Sequence, residues 1–216
     1  MKIRLAALLA CMALSAPLAA QQFDTISFGV DGGYPPFDVL APSGEITGFD
    51  IDIANALCTQ LKAKCVFVKQ PFESMIAALN AHKFDAIIAS LNITDERKKE
   101  VDFTDRYYRS AAQLVARKGS PLLPDAASLK GKTVGVQTGS THEAFAKANW
   151  ANHGVKIVGY ANQDNVYLDL LSGRIDAALQ DNIQAATGFI DTPRGQKFAF
   201  AGPVIQDGGI SSDVGI

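Results

Sequence analysis

Four places in this chain set groups able to hold a charged small molecule beside the ends of apolar runs. In the first, Phe84-Asp85-Ala86-Ile87-Ile88-Ala89 gives way to Ser90 and Asn92, and Arg97 follows after a helix start expected at Thr94. A continuous apolar run reads as a parallel strand buried on both faces, and open α/β sheets hold small ligands beyond the carboxyl ends of such strands. Hydroxyl and amide groups would then meet the ligand, with a guanidinium behind them suited to pairing with a carboxylate. In the second, Gly139-Ser140-Thr141-His142-Glu143 reads as a capping box, with Ser140 as N-cap and Glu143 three residues on. The free N–H groups at Thr141 and His142 would favour an anion. In the third, Asp181 follows the apolar run 175–179, where its carboxylate could hold an ammonium or cap a helix starting near Asn182; residue chemistry leaves both open. In the fourth, Asp31-Gly32-Gly33-Tyr34 follows the first apolar run. Tyr34 and Phe72 could wall a flat cation while Asp31 meets its charge. A carboxylate clamp, an ammonium clamp, aromatic walls and a second acid suit an α-amino acid with a cationic side chain.

These groups need elements that bring them to one edge. Strand-like segments at 26–30, 65–68 and 84–89 alternate with helical ones. Ile53, Ala54, Leu57, Cys58 and Leu61 mark one helix face at period 3.6, and Phe72, Met75, Ile76 and Leu79 mark another. The pattern then restarts, with strands at 132–136, 155–160 and 175–179 and helices at 141–150, 164–172 and 182–189. This βαβ order calls for parallel sheets with crossover helices. The halves echo one another, because Lys83-Phe84-Asp85-Ala86 and Arg174-Ile175-Asp176-Ala177 each turn a helix into a strand. The expectation is an α/β fold of two similar lobes, with residues 107–117 crossing between them and a ligand cleft where the strand edges face.

The first 20 residues carry two positive charges, an apolar run and Ala19-Ala20, which describes a cleaved signal peptide. The run is too short and too interrupted for a membrane anchor, and Leu8-Leu9-Ala10-Cys11 only faintly resembles a lipoprotein box. Without those residues, 20 − 2 = 18 basic residues face 22 acidic ones, a net charge of −4. No basic cluster argues for nucleic acid. Cys58 and Cys65 remain after cleavage of the leader, and export favours a disulfide between them over two free thiols. Such a ring contributes roughly 2–3 kcal/mol. No second cysteine pair or histidine spacing suits a metal, and no cofactor motif is present.

The mature sequence resembles the periplasmic amino-acid-binding proteins of ABC importers, above all the lysine/arginine/ornithine-, histidine- and arginine-binding group. The resemblance rests on Tyr34-Pro35-Pro36-Phe37, Gly48-Phe49-Asp50-Ile51-Asp52, the Cys58/Cys65 pair, Ile93-Thr94-Asp95-Glu96-Arg97, Gly139-Ser140-Thr141 and Gly173-Arg174-Ile175-Asp176-Ala177. It implies a two-lobed periplasmic-binding-protein-like fold, each lobe a mainly parallel sheet flanked by helices. The expected divisions are a signal peptide at 1–20, a first lobe at 21–108, a second at 109–212 and the start of a return at 213–216. Relatives complete the first lobe after that return, so a truncated first lobe is expected. The resemblance also implies that Arg97 and the amides near Thr141 hold a ligand carboxylate, Ser90 and Asp181 its ammonium, and Tyr34 and Phe72 its side chain. Asn92 stands where relatives often carry Ser, Thr or Asp, and Ala89 replaces a hydroxyl found in some. His142 stands where arginine binders can carry His, which with Asp31 favours arginine. The implied protein is a periplasmic monomer that delivers its amino acid to an inner-membrane ABC permease.

Two rivals share these features. A periplasmic lyase of the cyclohexadienyl dehydratase type has a similar fold and would need Asp181, Asp31 or His142 as an acid or base, though the chain has no G-x-S-x-G or H-E-x-x-H motif. A soluble partner of a chemoreceptor is the other.

Overall fold

A computed structural model describes residues 24–205 and 210–216. The expected signal peptide, with Cys11, lies outside the described residues. Strand β1 (Thr25–Val30) leads into a small antiparallel sheet of β2 (Gly33–Tyr34), β3 (Asp38–Leu40) and β4 (Ile46–Thr47). Helix α1 (Phe49–Leu61) follows, then β5 (Lys64–Lys69), a 3₁₀ turn at Phe72–Ser74, α2 (Met75–Asn80) and β6 (Ala86–Ile87). β1 is central, parallel to β5 on one side and to β6 on the other. The Cys58–Cys65 disulfide ties the last turns of α1 to the start of β5, with Cα atoms 5.8 Å apart.

The chain crosses to the second sheet through β7 (Tyr108–Arg109) and enters it as β8 (Ala112–Arg117). There follow α3 (Ala126–Leu129), β9 (Thr133–Gln137), α4 (Thr141–Asn149), β10 (Lys156–Tyr160), α5 (Gln163–Ser172) and β11 (Ala177–Asp181). After α6 (Asn182–Ala185) and a π turn at Ala186–Ile190 come β12 (Phe198–Ile205) and β13 (Asp213–Val214). The sheet order is β10-β9-β11-β8-β12. β13 lies antiparallel to β7, so two passages between the lobes run side by side. Arg109 braces them through an ion pair to Asp213 at 2.6 Å.

The main sheet of each lobe, β5-β1-β6 in the first and β10-β9-β11-β8-β12 in the second, is flanked by two apolar clusters. Phe28, Val30, Ile51, Ala54 and Ile88 form one beside the first sheet, and Met75, Ala78, Phe84 and Leu91 form the other. In the second lobe Leu114, Val134, Val136 and Trp150 pack in one cluster and Val166, Tyr167, Leu170 and Phe189 in another. The short sequence echo has a shared cause. Asp85 accepts the N–H of Ser27 in β1 and Asp176 that of Thr133 in β9, each at 2.8 Å. In both lobes a carboxylate at the helix-to-strand turn fixes the incoming strand against its neighbour.

Three expectations change. The second sheet is mixed, because β8 runs antiparallel to both β11 and β12. The run 84–89 pairs as a strand only at Ala86–Ile87, since the Asp85 side chain replaces a ladder contact and Ser90 turns the chain at φ 53°. The buried face of α1 is Asp50, Ile51, Ala54 and Cys58, while Leu57 and Leu61 are exposed. Asp50 rotates the helix inward by accepting the Ser90 N–H at 2.7 Å and the Tyr107 hydroxyl at 2.8 Å.

Candidate functional site

The carboxyl edges of β1, β6, β9 and β10 converge on a cavity of about 20 Å³ between the lobes, room for roughly one water. From the first lobe it is lined by Asp31, Tyr34, Phe72, Ala89, Ser90 and Asn92. From the second come Gln137, Ser140, His142 and Gln163. An amino acid therefore enters only if the lobes part, as the paired passages allow.

Ser90 sits in the left-handed region, costly for a residue with a Cβ. Its N–H and its hydroxyl both donate to Asp50, so a buried acid holds this turn at the cleft. Tyr34 is held by its N–H donating to Asp38 at 3.1 Å. Phe72 opens the 3₁₀ turn, with the Arg97 guanidinium 5.8 Å from its ring centre. Ser140 caps α4 as expected, its hydroxyl oxygen accepting from the Glu143 N–H at 3.1 Å. The Glu143 carboxylate, however, accepts from Gly139 N rather than from Ser140 N, because the Ser140 N–H already donates to Gln137 O.

Among the described residues, side chains of Arg97, Thr141 and Gln137 link the facing strand edges across the cleft. Arg97 donates to Asn92 O in its own lobe at 2.7 Å and to Gly139 O in the other at 3.1 Å. The Thr141 hydroxyl donates to Asn92 Oδ1 at 3.0 Å, and Gln137 Nε2 donates to Asp31 Oδ2 at 3.0 Å. Arg97, Thr141 and Asp181 do not themselves line this small closed cavity. At Asp181 the helix cap is formed: its carboxylate accepts from Gln184 N at 2.9 Å.

Burial sets the charges. It pushes the Arg97 guanidinium down to about 10, which leaves it cationic. Burial and the nearby Arg97 charge push His142 down to about 4, so this imidazole is neutral at pH 7. Desolvation raises Asp31, opposed by the Gln137 hydrogen bond and the Lys69 charge. It raises Asp181 as well, against hydrogen bonds from Ser110 and the start of α6. Asp38 is driven up to about 8, by burial and then by its acidic neighbours Asp50 and Asp31.

The sequence reading missed Gln137, Gln163, Asp38 and Asp50. Gln137 ends β9 as Asp181 ends β11, so the strand-edge rule that picked out the aspartate could have found it. Asp50 lies in the first turn of α1, and nothing in the local sequence shows that it points inward. Among the described residues no group of three or more His, Cys, Asp or Glu is placed to share a metal ion, and no helix is long and apolar enough to cross a membrane.

Residues 26–188 match the family model of bacterial extracellular solute-binding proteins, family 3. The chain is 48% identical over 184 residues to the lysine/arginine/ornithine-binding periplasmic protein of Escherichia coli K12, covering 85% of this chain and 71% of that one. It is 42% identical over 206 residues to the L-arginine-binding protein of Pseudomonas aeruginosa, covering 95% and 79%. A solved ancestral arginine-binding protein bound to arginine superposes with a TM-score of 0.82 at 34% identity, over 90% of this chain and 85% of that one. With its two lobes, its cleft and these matches, the chain belongs to the bacterial extracellular solute-binding proteins, family 3.

Proposed function

We propose that this protein is a periplasmic receptor for a basic L-amino acid, arginine foremost, which closes on its ligand and delivers it to an inner-membrane ABC permease. The observation that carries the ligand class is Asp31, a buried acid lining the same cavity as Tyr34 and Phe72 and suited to meet a cationic side chain. The positive Arg97 and the N–H groups opening α4 take the ligand carboxylate, with Asn92 and Ser140 shaping that end. Ser90 and Asp181 take the ammonium, while Ala89 and His142 complete the wall. Binding without turnover fits a neutral His142 and an Asp181 committed to a helix cap. The moving bodies are residues 21–108 and 109–212, exported behind the leader at 1–20 and acting as a monomer. Relatives named for basic amino acids support the ligand class, and the one named as periplasmic supports the compartment.

The test is thermal unfolding of the mature protein with a panel of L-amino acids. With all ligands at one concentration arginine should give the largest shift, about 2.7 kcal/mol where that concentration is 100 times its Kd. A cooperative melt unmoved by any basic amino acid would overturn this reading, and product formed from prephenate or arogenate would favour the lyase.

A further inference from the structure

Gln163 is the first helical residue of α5, directly after the N-cap Asn162, whose side chain accepts from Asn165 N. It is 1% exposed, lines the cavity with Asp31, and its Nε2 is buried with no hydrogen-bond partner. A carboxamide buried with an unmade bond is costly, and an apolar side chain of the same length would fill the space without that cost. The start of α5 lies against the turn that carries Asp31: a Cβ on Gly33 would stand 3.6 Å from Asn162 Cβ and 3.8 Å from Asp31 Oδ2. On the same wall Gln137 Nε2 donates to Asp31. One carboxylate from the first lobe and two carboxamides from the second thus line one small cavity.

That set matches one cation better than another. A guanidinium is planar and carries five N–H donors in a fixed fork, of which one carboxylate can accept two. The others need further acceptors. A lysine or ornithine ammonium is compact, has three donors and keeps water readily. A half-turn of the Gln163 carboxamide exchanges its oxygen and nitrogen in nearly the same volume, which would present Oε1 to the ligand. We propose that Gln163 is a specificity-determining residue that accepts outer N–H groups of a guanidinium held at Asp31, and so selects arginine over lysine and ornithine. The proposal rests on the basic-amino-acid reading above.

Gln163→Met keeps the length and removes the acceptor. Titration calorimetry should find arginine weakened about ten- to 100-fold, the loss of one hydrogen bond to a charged group, with ornithine and lysine changed less than about threefold. Equal weakening of all three ligands would make Gln163 a closure residue and overturn the proposal, as would unchanged arginine affinity. A crystal structure of the wild-type protein with arginine tests the same point without a variant. Gln163 Oε1 within hydrogen-bond distance of a guanidinium nitrogen supports it, and a carboxamide turned away overturns it. Wild-type protein that binds no basic amino acid would remove the underlying reading, whereas wild-type arginine binding with an indifferent Gln163→Met removes this inference alone.

Discussion

The two ends of the cleft are built differently. At the Arg97 end, the contacts run largely to main chain: Arg97 to the carbonyls of Asn92 and Gly139, and Asn92 Nδ2 to Ser211 O. At the Asp31 end the bond across the cleft runs between side chains, Gln137 to Asp31, with Gln163 Nε2 left unpartnered. A backbone-anchored end suits the part that every α-amino acid shares. An end made of interchangeable side chains suits the part that differs between ligands. The difference predicts where mutations act on all ligands and where they discriminate.

The largest effect is expected at Arg97. Arg97→Ala removes the half-buried cation proposed to meet the ligand carboxylate and the bond to Gly139 O, and once the closed cleft buries that charge pair its truncation costs about 2–5 kcal/mol. Affinity measured by calorimetry should fall about 100-fold or more, alike for arginine, lysine and ornithine. A loss confined to one ligand would break the division between the ends.

Asp31→Asn is the converse. It keeps the hydrogen-bonding shape and removes the charge, so basic ligands should weaken about ten- to 100-fold, as for the loss of a charge-assisted bond. Any affinity for glutamine should hold or rise. Because burial raises Asp31, protonation begins at higher pH than for an ordinary carboxylate, and the preference for basic ligands should fade first as pH falls. A uniform loss across ligands would show that Asp31 acts through closure alone.

The same division explains what the residues revealed in advance. Arg97, Asn92 and Ser140 were legible because chemistry there follows from position, at the ends of apolar runs or at a helix start with its own capping signature. The alternation of runs was enough for two α/β lobes. It could not show that β8 lies antiparallel between β11 and β12, since an apolar run carries no direction. Period 3.6 located α1 but not which arc it buries, because Asp50 enters the core only through partners 40 and 57 residues away. Gln137 and Gln163 have no periodicity, charge or motif, and only burial beside Asp31 distinguishes them. On the reading proposed above, selectivity in this cleft therefore resides where local sequence says least.

Asp181 tests which end it belongs to. As the N-cap of α6, Asp181→Ala should cost about 1 kcal/mol of stability, read as a lower denaturant midpoint with ligand absent. If the carboxylate also meets the ligand ammonium, all ligands should weaken together, as for Arg97. A changed midpoint with an unchanged Kd would leave it a cap and assign the ammonium to Ser90 alone.

The smallest effect on binding is expected from His142, although the residue lies on the cavity wall. Its folded pKa of about 4 lies below the ordinary 6.5, so the folded protein keeps it neutral where the unfolded chain protonates it. Stability is therefore intact above pH 6.5 and is lost as pH falls from there toward 4. At pH 5.5 linkage puts that loss at about 1 kcal/mol. His142→Gln should recover it, giving a flatter stability profile between pH 7 and 5.5, while wild-type arginine affinity over that interval receives no contribution from the neutral imidazole. Its expected change from this group is below about twofold, since a His with a pKa near 4 is only a few per cent charged at pH 5.5. Identical stability profiles for wild type and variant would mean that His142 is solvated enough to titrate normally. The Arg97 end would then be wetter, and its positive field weaker, than its burial implies.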